Sequence, residues 1–375
     1  MRIRILEHLG DTVRDPWTWG NIVADLVGQA AEAHGRSESA TDSPLVSVVI
    51  PAFNAAATLD ETLRSVRSQT HRALEIIVVD DGSTDDTRAL AQRHAAVDDR
   101  VLVVTQDNAG VAAARNEGVR RGRSGLIAFL DADDLWAPTK IERQLQALQA
   151  GGPRVGLVYC WYVEIDDRAS ISPVEDRGRP EGDVLDSILV WNFIGNCSSV
   201  LVRRQAFIDA GGFDEGFRAA GAEGCEDFLL WCRVAERHRF AVVPEHLIGY
   251  RCGPESMSTD RPRMLRSWLL VHDAMLARHP DQSAALRHGV RHYGGYLARE
   301  ALSHGEVKQL PSLLLALLRC HPSVAMRVLV KDVSITVIER VRAWLGSWYR
   351  GPATPVATAT GPRFLIGDPD TDRDT

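Results

Sequence analysis

The stretch LIAFLDADD at residues 126–134 places five apolar residues directly before a group of three carboxylates. Such an apolar run is typical of a short strand that is buried on both faces of a sheet. Similar runs precede it at residues 45–50, 75–80 and 101–104. Helical patterns separate the runs, and this alternation predicts an α/β domain with a mostly parallel, doubly wound central sheet flanked by helices.

The spacing of caps and apolar residues locates the other elements of this domain. Thr58 and Glu61 form a capping-box pattern, which predicts the start of the first helix. Later helices are predicted at residues 83–94, 110–121, about ten residues from 139, and 226–237. Further strands are predicted at residues 155–165 and 198–202.

Composition changes along the chain and predicts four regions. Residues 1–44 are expected to form an N-terminal helical extension and linker, because apolar residues at helical spacing precede a polar stretch. Residues 45–258 form the α/β domain. Residues 259–350 are predicted to be a C-terminal helical region, interrupted at prolines 280, 311 and 322, and residues 351–375 a disordered tail.

Overall composition narrows the class of protein. The 375 residues are 45% hydrophobic and 25% charged, which excludes a wholly disordered or collagen-like chain. The net charge of −7 argues against a nucleic-acid partner, because nothing global attracts a phosphate backbone. We expect no secretory leader and no membrane-spanning helix, and therefore a cytoplasmic location. Peripheral contact with the cytoplasmic face of a membrane is left open.

Acidic residues follow two of the predicted strands. Asp81 follows the second strand, and Asp131 and Asp133 follow the fourth. Ligands of open parallel sheets bind at the carboxyl ends of the strands, so these carboxylates are expected at one ligand site. Converging carboxylates raise one another's pKa, and a divalent cation relieves that repulsion. Mg²⁺ or Mn²⁺ would share such ligands with a substrate diphosphate.

Other side chains are predicted at the same edge of the sheet. Phe53 and Asn54 follow the first strand and offer a ring and an amide. Asp81 could accept hydrogen bonds from a nucleobase or a ribose, and Arg115 could neutralise a phosphate. The motifs of a dinucleotide dehydrogenase, a P-loop NTPase and a standard α/β-hydrolase are missing from the sequence.

Taken together, these residues resemble the family 2 glycosyltransferases, which have the GT-A (Rossmann-like) fold. The matching text is VSVVIPAFN at 46–54, EIIVVDDGSTD at 75–85, NAGVAAARN at 108–116, FLDADD at 129–134, GGFDE at 211–215, Glu226-Asp227 and Tyr250-Arg251. The resemblance covers residues 45 to about 258, and the motifs agree in order and spacing.

The resemblance implies an inverting transfer from a nucleoside-diphosphate sugar, with a UDP- or dTDP-sugar as the usual donor. It implies nucleotide-sugar contacts from Pro51, Ala52, Phe53, Asn54, Asp81, Asn108, Arg115 and Asp131. Asp131 and Asp133 look like the D-x-D pair that binds the divalent cation. Glu226 and Asp227 look like the catalytic pair, with Asp227 as the base that deprotonates the acceptor hydroxyl.

The resemblance is weaker on the acceptor side. Many members carry a histidine two residues after the Tyr-Arg pair, whereas Gly253 stands here, so no contact is assigned to it. A carbohydrate or lipid-linked acceptor is expected, in polysaccharide, glycolipid or glycoconjugate synthesis. The candidates for contacting it are Trp161, Tyr162, Trp191, Asn192 and Asn196.

Alternatives to a transferase are weighed against these residues. A sugar-nucleotide pyrophosphorylase usually shows a Gly-rich, basic stretch after the first strand, where this chain has PAFNAAA at 51–57. A non-catalytic sugar-nucleotide-binding or scaffold protein would not need Asp227. For the helical region, three roles stay open: a cover over the active site, a homodimer contact, or contact with anionic lipid.

Overall fold

The computed structural model describes residues 43–172, 178, 180–253, 256–333 and 363–367. Within these ranges the strands are β1 (Val46–Ala52), β2 (Leu74–Asp80), β3 (Val101–Thr105), β4 (Leu126–Phe129), β5 (Leu135–Trp136), β6 (Val155–Ile165), β7 (Val200–Arg203) and β8 (Arg239–Arg251). They form one sheet in the order β3-β2-β1-β4-β7-β6-β8-β5.

Twelve α-helices cover this sheet within the described ranges. They are α1 (Leu59–Arg67), α2 (Thr87–Ala95), α3 (Val111–Arg121), α4 (Lys140–Gly151), α5 (Leu185–Ile188), α6 (Arg204–Asp209), α7 (Gly216–Ala219), α8 (Glu226–Ala235), α9 (Arg261–Arg278), α10 (Ser283–Ser303), α11 (Leu310–Cys320) and α12 (Pro322–Arg327). A π-helical turn, Val328–Val333, follows α12.

The predicted mostly parallel α/β fold is confirmed. β3, β2, β1 and β4 run parallel, β7 is antiparallel to β4 and β6, and β8 is parallel to β6. In the β1–β2 pair Ala52 lies opposite Asp80, so the residues that follow these strands emerge side by side. The strand order therefore brings the predicted acidic motifs to one edge.

Burial on both faces explains the apolar runs. Val48 and Val49 are both fully buried, but they face different cores, because successive side chains of a strand alternate between faces. One core packs against α1, α2 and α4. The other is continuous with α8 to α12, so the C-terminal helical region shares its core with the α/β domain.

Several local predictions differ from the structure. The 13-residue strand β8 was not predicted, and the strand predicted at 198–202 begins at Val200 after a 3-10 turn. The capping box at Thr58 does not form, because the Thr58 hydroxyl donates to the Ala132 carbonyl oxygen at 2.9 Å and so holds the acidic loop instead. Asp85, not Ser83, accepts from the first backbone N–H of α2, that of Thr87.

The structure describes some of the four predicted regions more completely than others. The N-terminal extension lies outside the described residues except for its last two positions. The helices predicted after residue 259 are present as far as Val333, each proline standing near the start of a helical segment. Residues 363–367 differ from the predicted disordered tail: Phe364 is buried, and its N–H donates to the Ala169 carbonyl oxygen at 2.8 Å. The apolar ring explains this docking.

Among the helices in the described ranges, none has the length and hydropathy that a bilayer crossing requires.

Candidate active site

Hydrogen bonds to a buried serine shape the loop after β4. The Ser198 hydroxyl accepts from the Asp131 N–H at 3.0 Å and donates to the Asp134 carboxylate at 2.6 Å. The other Asp134 oxygen accepts from the Arg251 N–H at 3.0 Å. Asp134 is fully buried and is thereby a part of the loop's framework. Asp131 and Asp133 are partly exposed and are not held by Ser198 through their carboxylates.

Arg115 joins the two acidic motifs. Its Nη2 donates to Asp131 Oδ1 at 2.6 Å, and its Nη1 donates to Glu226 Oε1 at 3.0 Å. The guanidinium also lies over the Phe213 ring, 5.3 Å from its centroid. The Arg115 side chain is only 5% exposed, so it is neither a solvated helix residue nor free to turn outward. The Arg115 guanidinium therefore holds Asp131 beside Glu226.

The two acidic residues at the start of α8 have different surroundings. Both Glu226 oxygens are engaged, one by Arg115 and the other by the Gly224 N–H at 2.8 Å. Burial, followed by the charge of Glu226, raises the pKa of Asp227 to about 7. A general base works best when its pKa is near the operating pH. Of the two, Asp227 has the pKa that suits a general base, and Glu226 is held by Arg115 and the Gly224 N–H.

Asp133 also has a perturbed acidity. Burial, and then the neighbouring charge of Asp131, raises the pKa of Asp133 to about 6. Arg251 moderates this effect and is itself fixed in place: its Nε donates to the Asp133 carbonyl oxygen and its Nη2 to Glu61, both at 2.9 Å. Arg251, the second residue of the Tyr250-Arg251 motif, therefore supports the acidic loop.

The carboxylate pair fits a divalent cation of a particular kind. In the described part of the chain, no group of three or more His, Cys, Asp or Glu residues is placed to hold a metal ion alone. Mg²⁺-type sites, however, commonly use one or two carboxylates and take their other oxygens from phosphate and water. Burial and then the charge of Asp131 raise the pKa of Asp133, and a bound cation would favour its ionised form.

Asp81 is largely occupied by the protein itself. One of its oxygens accepts from Gln106 Nε2 at 2.7 Å and the Ala109 N–H at 2.8 Å, and the other accepts from the Gly110 N–H at 2.8 Å. These bonds fasten the loop that carries exposed Asn108. The second oxygen has hydrogen-bonding capacity for one more donor, but Asp81 is only 3% exposed. The predicted contact between Asp81 and a nucleoside therefore stays a prediction.

The end of β1 presents an open aromatic ring. Pro51 and Ala52 are buried within the strand, and Phe53, directly after it, is 51% exposed. Asn54 has a positive φ of 49°, and its side-chain oxygen accepts from the Thr84 N–H at 2.9 Å. Asn54 therefore ties β1 to the loop after β2. Phe53 and Asn54 are both exposed, and Phe53 provides the exposed ring of this set.

The predicted acceptor-side residues occupy framework positions. Trp161 Nε1 donates to the Gly178 carbonyl oxygen at 3.2 Å, and Trp191 packs edge-on against Phe193. The Asn196 side-chain oxygen accepts from the Ser199 N–H at 2.9 Å, while its buried Nδ2 has no partner among the described residues. Remaining candidates are Tyr162, which packs edge-on against Tyr250, and Asn192, which caps a turn.

Comparison with known proteins places the chain in a family. Residues 47–211 match the model of Glycosyl transferase family 2. The chain is 44% identical over 104 residues, 28% of its length, to TuaG of Bacillus subtilis, a glycosyltransferase whose name assigns it to teichuronic acid biosynthesis. It is 31% identical over 195 residues, 51% of its length, to an uncharacterized glycosyltransferase of Rickettsia typhi. It spans 41% and 58% of the lengths of these two relatives.

A further relative and the solved structures agree with this result. An uncharacterized protein of Mycobacterium tuberculosis is 31% identical over 252 residues, which is 61% of this chain and 76% of that protein. S. aureus TarS 1-349 in complex with UDP-GlcNAc superimposes with a TM-score of 0.57 at 13% identity, covering 86% of this chain and all of that one.

The mannosyltransferase PcManGT from Pyrobaculum calidifontis, in complex with GDP-Man and Mn²⁺, superimposes with a TM-score of 0.52 at 16% identity over 88% of this chain and 92% of that one. At such identities the likeness concerns the fold alone. The family match and the relatives show that the chain belongs to glycosyl transferase family 2.

Proposed function

We propose that the protein is an inverting, divalent-cation-dependent glycosyltransferase that moves a sugar from a UDP- or dTDP-sugar to an acceptor hydroxyl. The observation that carries the proposal is the Arg115 bridge between Asp131 and Glu226. In this proposal Asp131 lies on the side of the diphosphate and Glu226 on the side of the base, and the Arg115 guanidinium holds both. An inverting displacement requires the leaving group and the base on opposite sides of the sugar.

Asp227 is proposed to take the proton. In its ionised form it accepts the proton of the acceptor hydroxyl while the acceptor oxygen forms a bond to the anomeric carbon of the donor. The bond from that carbon to the diphosphate oxygen breaks on the opposite face, and the nucleoside diphosphate leaves with the electron pair. The proton ends on Asp227 and passes to solvent, which restores the base.

Donor binding is proposed at the other end of the site. Phe53 would pack on the nucleobase, and Asp81 would accept one hydrogen bond from the nucleoside with its remaining capacity. TarS, which shares the fold, is solved with UDP-GlcNAc, and this supports a UDP-sugar. Asp131 and Asp133 would hold a divalent cation, as the fold neighbour solved with Mn²⁺ suggests. When bound, the cation neutralises charge on the departing diphosphate.

The acceptor is proposed to be a carbohydrate or a lipid-linked carbohydrate, in polysaccharide or glycoconjugate synthesis. The name of TuaG, which concerns teichuronic acid, supports this class. We still propose Trp161, Trp191 and Asn196 as acceptor-side residues, because their contacts fix the positions of neighbouring residues. We also propose a cytoplasmic location, with contact at the cytoplasmic face of the membrane.

Contact with an anionic lipid surface is proposed for the last described helices. Five of the twelve large exposed apolar side chains of the described residues lie within 16 positions: Leu315, Leu318, Met326, Leu329 and Val330. Residues 310–330 carry Arg319 and Arg327 and no Asp or Glu, in a chain whose net charge is −7. A twofold dimer through this face would oppose its own positive charges, so an anionic lipid surface is the better match.

A thermal-shift experiment tests the donor site. The melting temperature is measured with UDP, dTDP and GDP, each with and without Mn²⁺, for the wild type, Asp133→Ala and the exposed control Asp99→Ala. Specific binding raises the melting temperature. We expect a Mn²⁺-dependent rise with UDP or dTDP that Asp133→Ala removes and Asp99→Ala retains. A folded wild type that responds to no nucleotide contradicts the proposal, and binding without turnover at any acceptor points to a scaffold.

A further inference from the structure

A short segment that follows the helical region in the sequence lies across the α/β domain. We call residues 363–367 the C-terminal strap. Its first residue, Arg363, pairs with Ser170 in an antiparallel bridge. The Phe364 N–H donates to the Ala169 carbonyl oxygen at 2.8 Å. The strap is therefore hydrogen-bonded to the turn that follows β6.

An aromatic ring anchors the strap in the core. Phe364 is 4% exposed and belongs to the apolar cluster that contains β5 and parts of β6 and β8. Gly249 on β8 leaves room for this ring, because an added Cβ would lie 3.0 Å from both Phe364 Cγ and Ile165 Cδ1. Gly249 lies opposite Leu135, the residue directly after Asp134. The ring thus packs on the strand that adjoins the D-x-D motif.

The turn that the strap holds contains a disfavoured backbone conformation. Ala169 has a φ of +57°, and Asn54 is the other non-glycine residue with a positive φ in the described part of the chain. Such a conformation persists only where the surroundings of the residue hold it. Asp166 closes the turn from within, since it accepts from the Ala169 N–H with its carbonyl oxygen and from the Ser170 N–H with its carboxylate. The strap holds the turn from outside.

One arginine connects this turn to the acidic loop, residues 131–134. The Asp166 carbonyl oxygen also accepts from Arg251 Nη1 at 2.9 Å. The same guanidinium donates through Nε to the Asp133 carbonyl oxygen at 2.9 Å, and the Arg251 N–H donates to the Asp134 carboxylate at 3.0 Å. Arg251 is buried, so its position depends on these acceptors. A displacement of the turn would therefore reach the backbone of Asp133.

The other end of the strap contacts a second support of the acidic loop. Gly367 lies so close to Ser68, the residue directly after α1, that an added Cβ would be 2.9 Å from the Ser68 Cβ. Within α1, the Thr62 hydroxyl lies 3.0 Å from the Ala132 carbonyl oxygen and 2.9 Å from that of Asp134. The strap thus spans the two elements that hold the acidic loop, the turn after β6 and α1.

We propose that the C-terminal strap positions the acidic loop for cation and diphosphate binding, with Phe364 as its positioning residue. The proposal rests on the proposed transferase function, in which Asp131 and Asp133 hold the divalent cation. Partners behind the ligands of a metal site fix their orientation and so contribute to the affinity for the metal. In this proposal Phe364 contacts neither the donor nor the cation. It acts through the turn, Arg251 and the backbone of the acidic loop.

Amide hydrogen exchange on the full chain and on two truncated chains tests the positioning role. One truncation removes residues 363–375, and the matched control removes residues 368–375 and keeps the strap. Without the strap, amides of the turn, of Arg251 and of the acidic loop should exchange about tenfold faster, whereas those of β2 should be unchanged. Phe364→Ala in the full chain should have the same effect. Phe364→Leu, which keeps a large apolar side chain, should remain close to the wild type.

A second measurement follows the consequence for the cation site. The Mn²⁺ concentration that gives half of the UDP melting-temperature shift should rise severalfold in the 363–375 truncation and in Phe364→Ala, and should not change in the 368–375 truncation. An unchanged Mn²⁺ requirement in the first two proteins would overturn the positioning role.

The exchange data decide the proposal independently of nucleotide binding. Unchanged exchange in the acidic loop would overturn it, because the strap would then cover only the turn. Faster exchange throughout the fold, including β2, would also overturn it, because the strap would then support the whole domain. A wild type that shows no UDP shift rejects the proposed donor site instead, and the exchange of the acidic loop still shows whether the strap holds it.

Discussion

Replacement of Arg115 by methionine tests the feature on which the active-site geometry depends. Methionine keeps most of the apolar stem and removes the guanidinium that bridges Asp131 and Glu226. Breaking a buried ion pair by removing one partner costs about 3–5 kcal/mol, because the other charge stays buried and unpaired. Glu226 is as buried as Arg115, but Asp131 is a quarter exposed, so solvent screens part of its charge.

The lower end of this range, about 3 kcal/mol, is therefore expected for Arg115→Met. At roughly 2 °C per kcal/mol for a chain of this size, the melting temperature should fall by about 6 °C. Arg120→Met is the matched control, since Arg120 lies on the same helix and pairs with Glu117 at the surface. It should change stability by less than about 1 kcal/mol.

The double variant Arg115→Met, Glu226→Gln separates the ion pair from packing. The amide removes the unpaired buried charge and can still accept from the Gly224 N–H, so the double variant should be more stable than the sum of the single changes predicts. Urea and thermal unfolding of the four proteins provide the cycle. An Arg115→Met variant as stable as Arg120→Met, or strictly additive changes, would refute the bridge as an electrostatic framework.

The other predictions concern the base and the helical surface. Asp227→Asn should lower turnover by about 10²–10⁴-fold and leave the UDP and Mn²⁺ melting-temperature shift intact; turnover near the wild-type rate would reject Asp227 as the base. Activity of the wild type should fall as the pH drops through about 7, because the raised pKa of Asp227 leaves it protonated below that pH, and a flat profile from pH 6 to 8 would contradict this. Glu226 raises this pKa while Arg115 lowers it, so Arg115→Met should move the profile to higher pH. The pH dependence of stability has the opposite sign to that of activity. Asp227 binds its proton more tightly in the folded state than in the unfolded state, so its contribution to the free energy of unfolding is complete below about pH 4. That contribution is lost as the pH rises through about 7. Unfolding at pH 5 and 8 should show this loss in the wild type and a smaller loss in Asp227→Asn, where the raised pKa of Asp133 still contributes. Vesicles containing anionic lipid should sediment with the wild type at low salt, and the double variant Leu318→Ser, Met326→Ser should sediment with them less. Neutral vesicles should capture neither protein. Equal capture by both vesicle types, or concentration-dependent dimerisation without lipid, would reject the proposed lipid-binding surface.

Much of the α/β domain was predictable because its signals are local. The apolar runs of β1, β2 and β4 are continuous since these strands are buried on both faces, and the residues after them are acidic or polar because they lie at the ligand edge. β8 escaped prediction because its 13 residues mix exposed and buried positions in no regular alternation. The docked residues 363–367 escaped it because a few apolar residues in a polar tail show no periodicity.

Sequence motifs alone predicted Asp131, Asp133 and the Glu226-Asp227 pair as the candidate site carboxylates, since carboxylates at those spacings are a local property of the chain. Only the tertiary structure decided how they are arranged. Arg115 lies far from Glu226 in the sequence, and nothing in its own helix predicts that burial will direct it between two carboxylates. The C-terminal helices lie beside α8 only because they share its apolar core. Contacts between distant segments depend on packing of the whole chain, which no local pattern encodes.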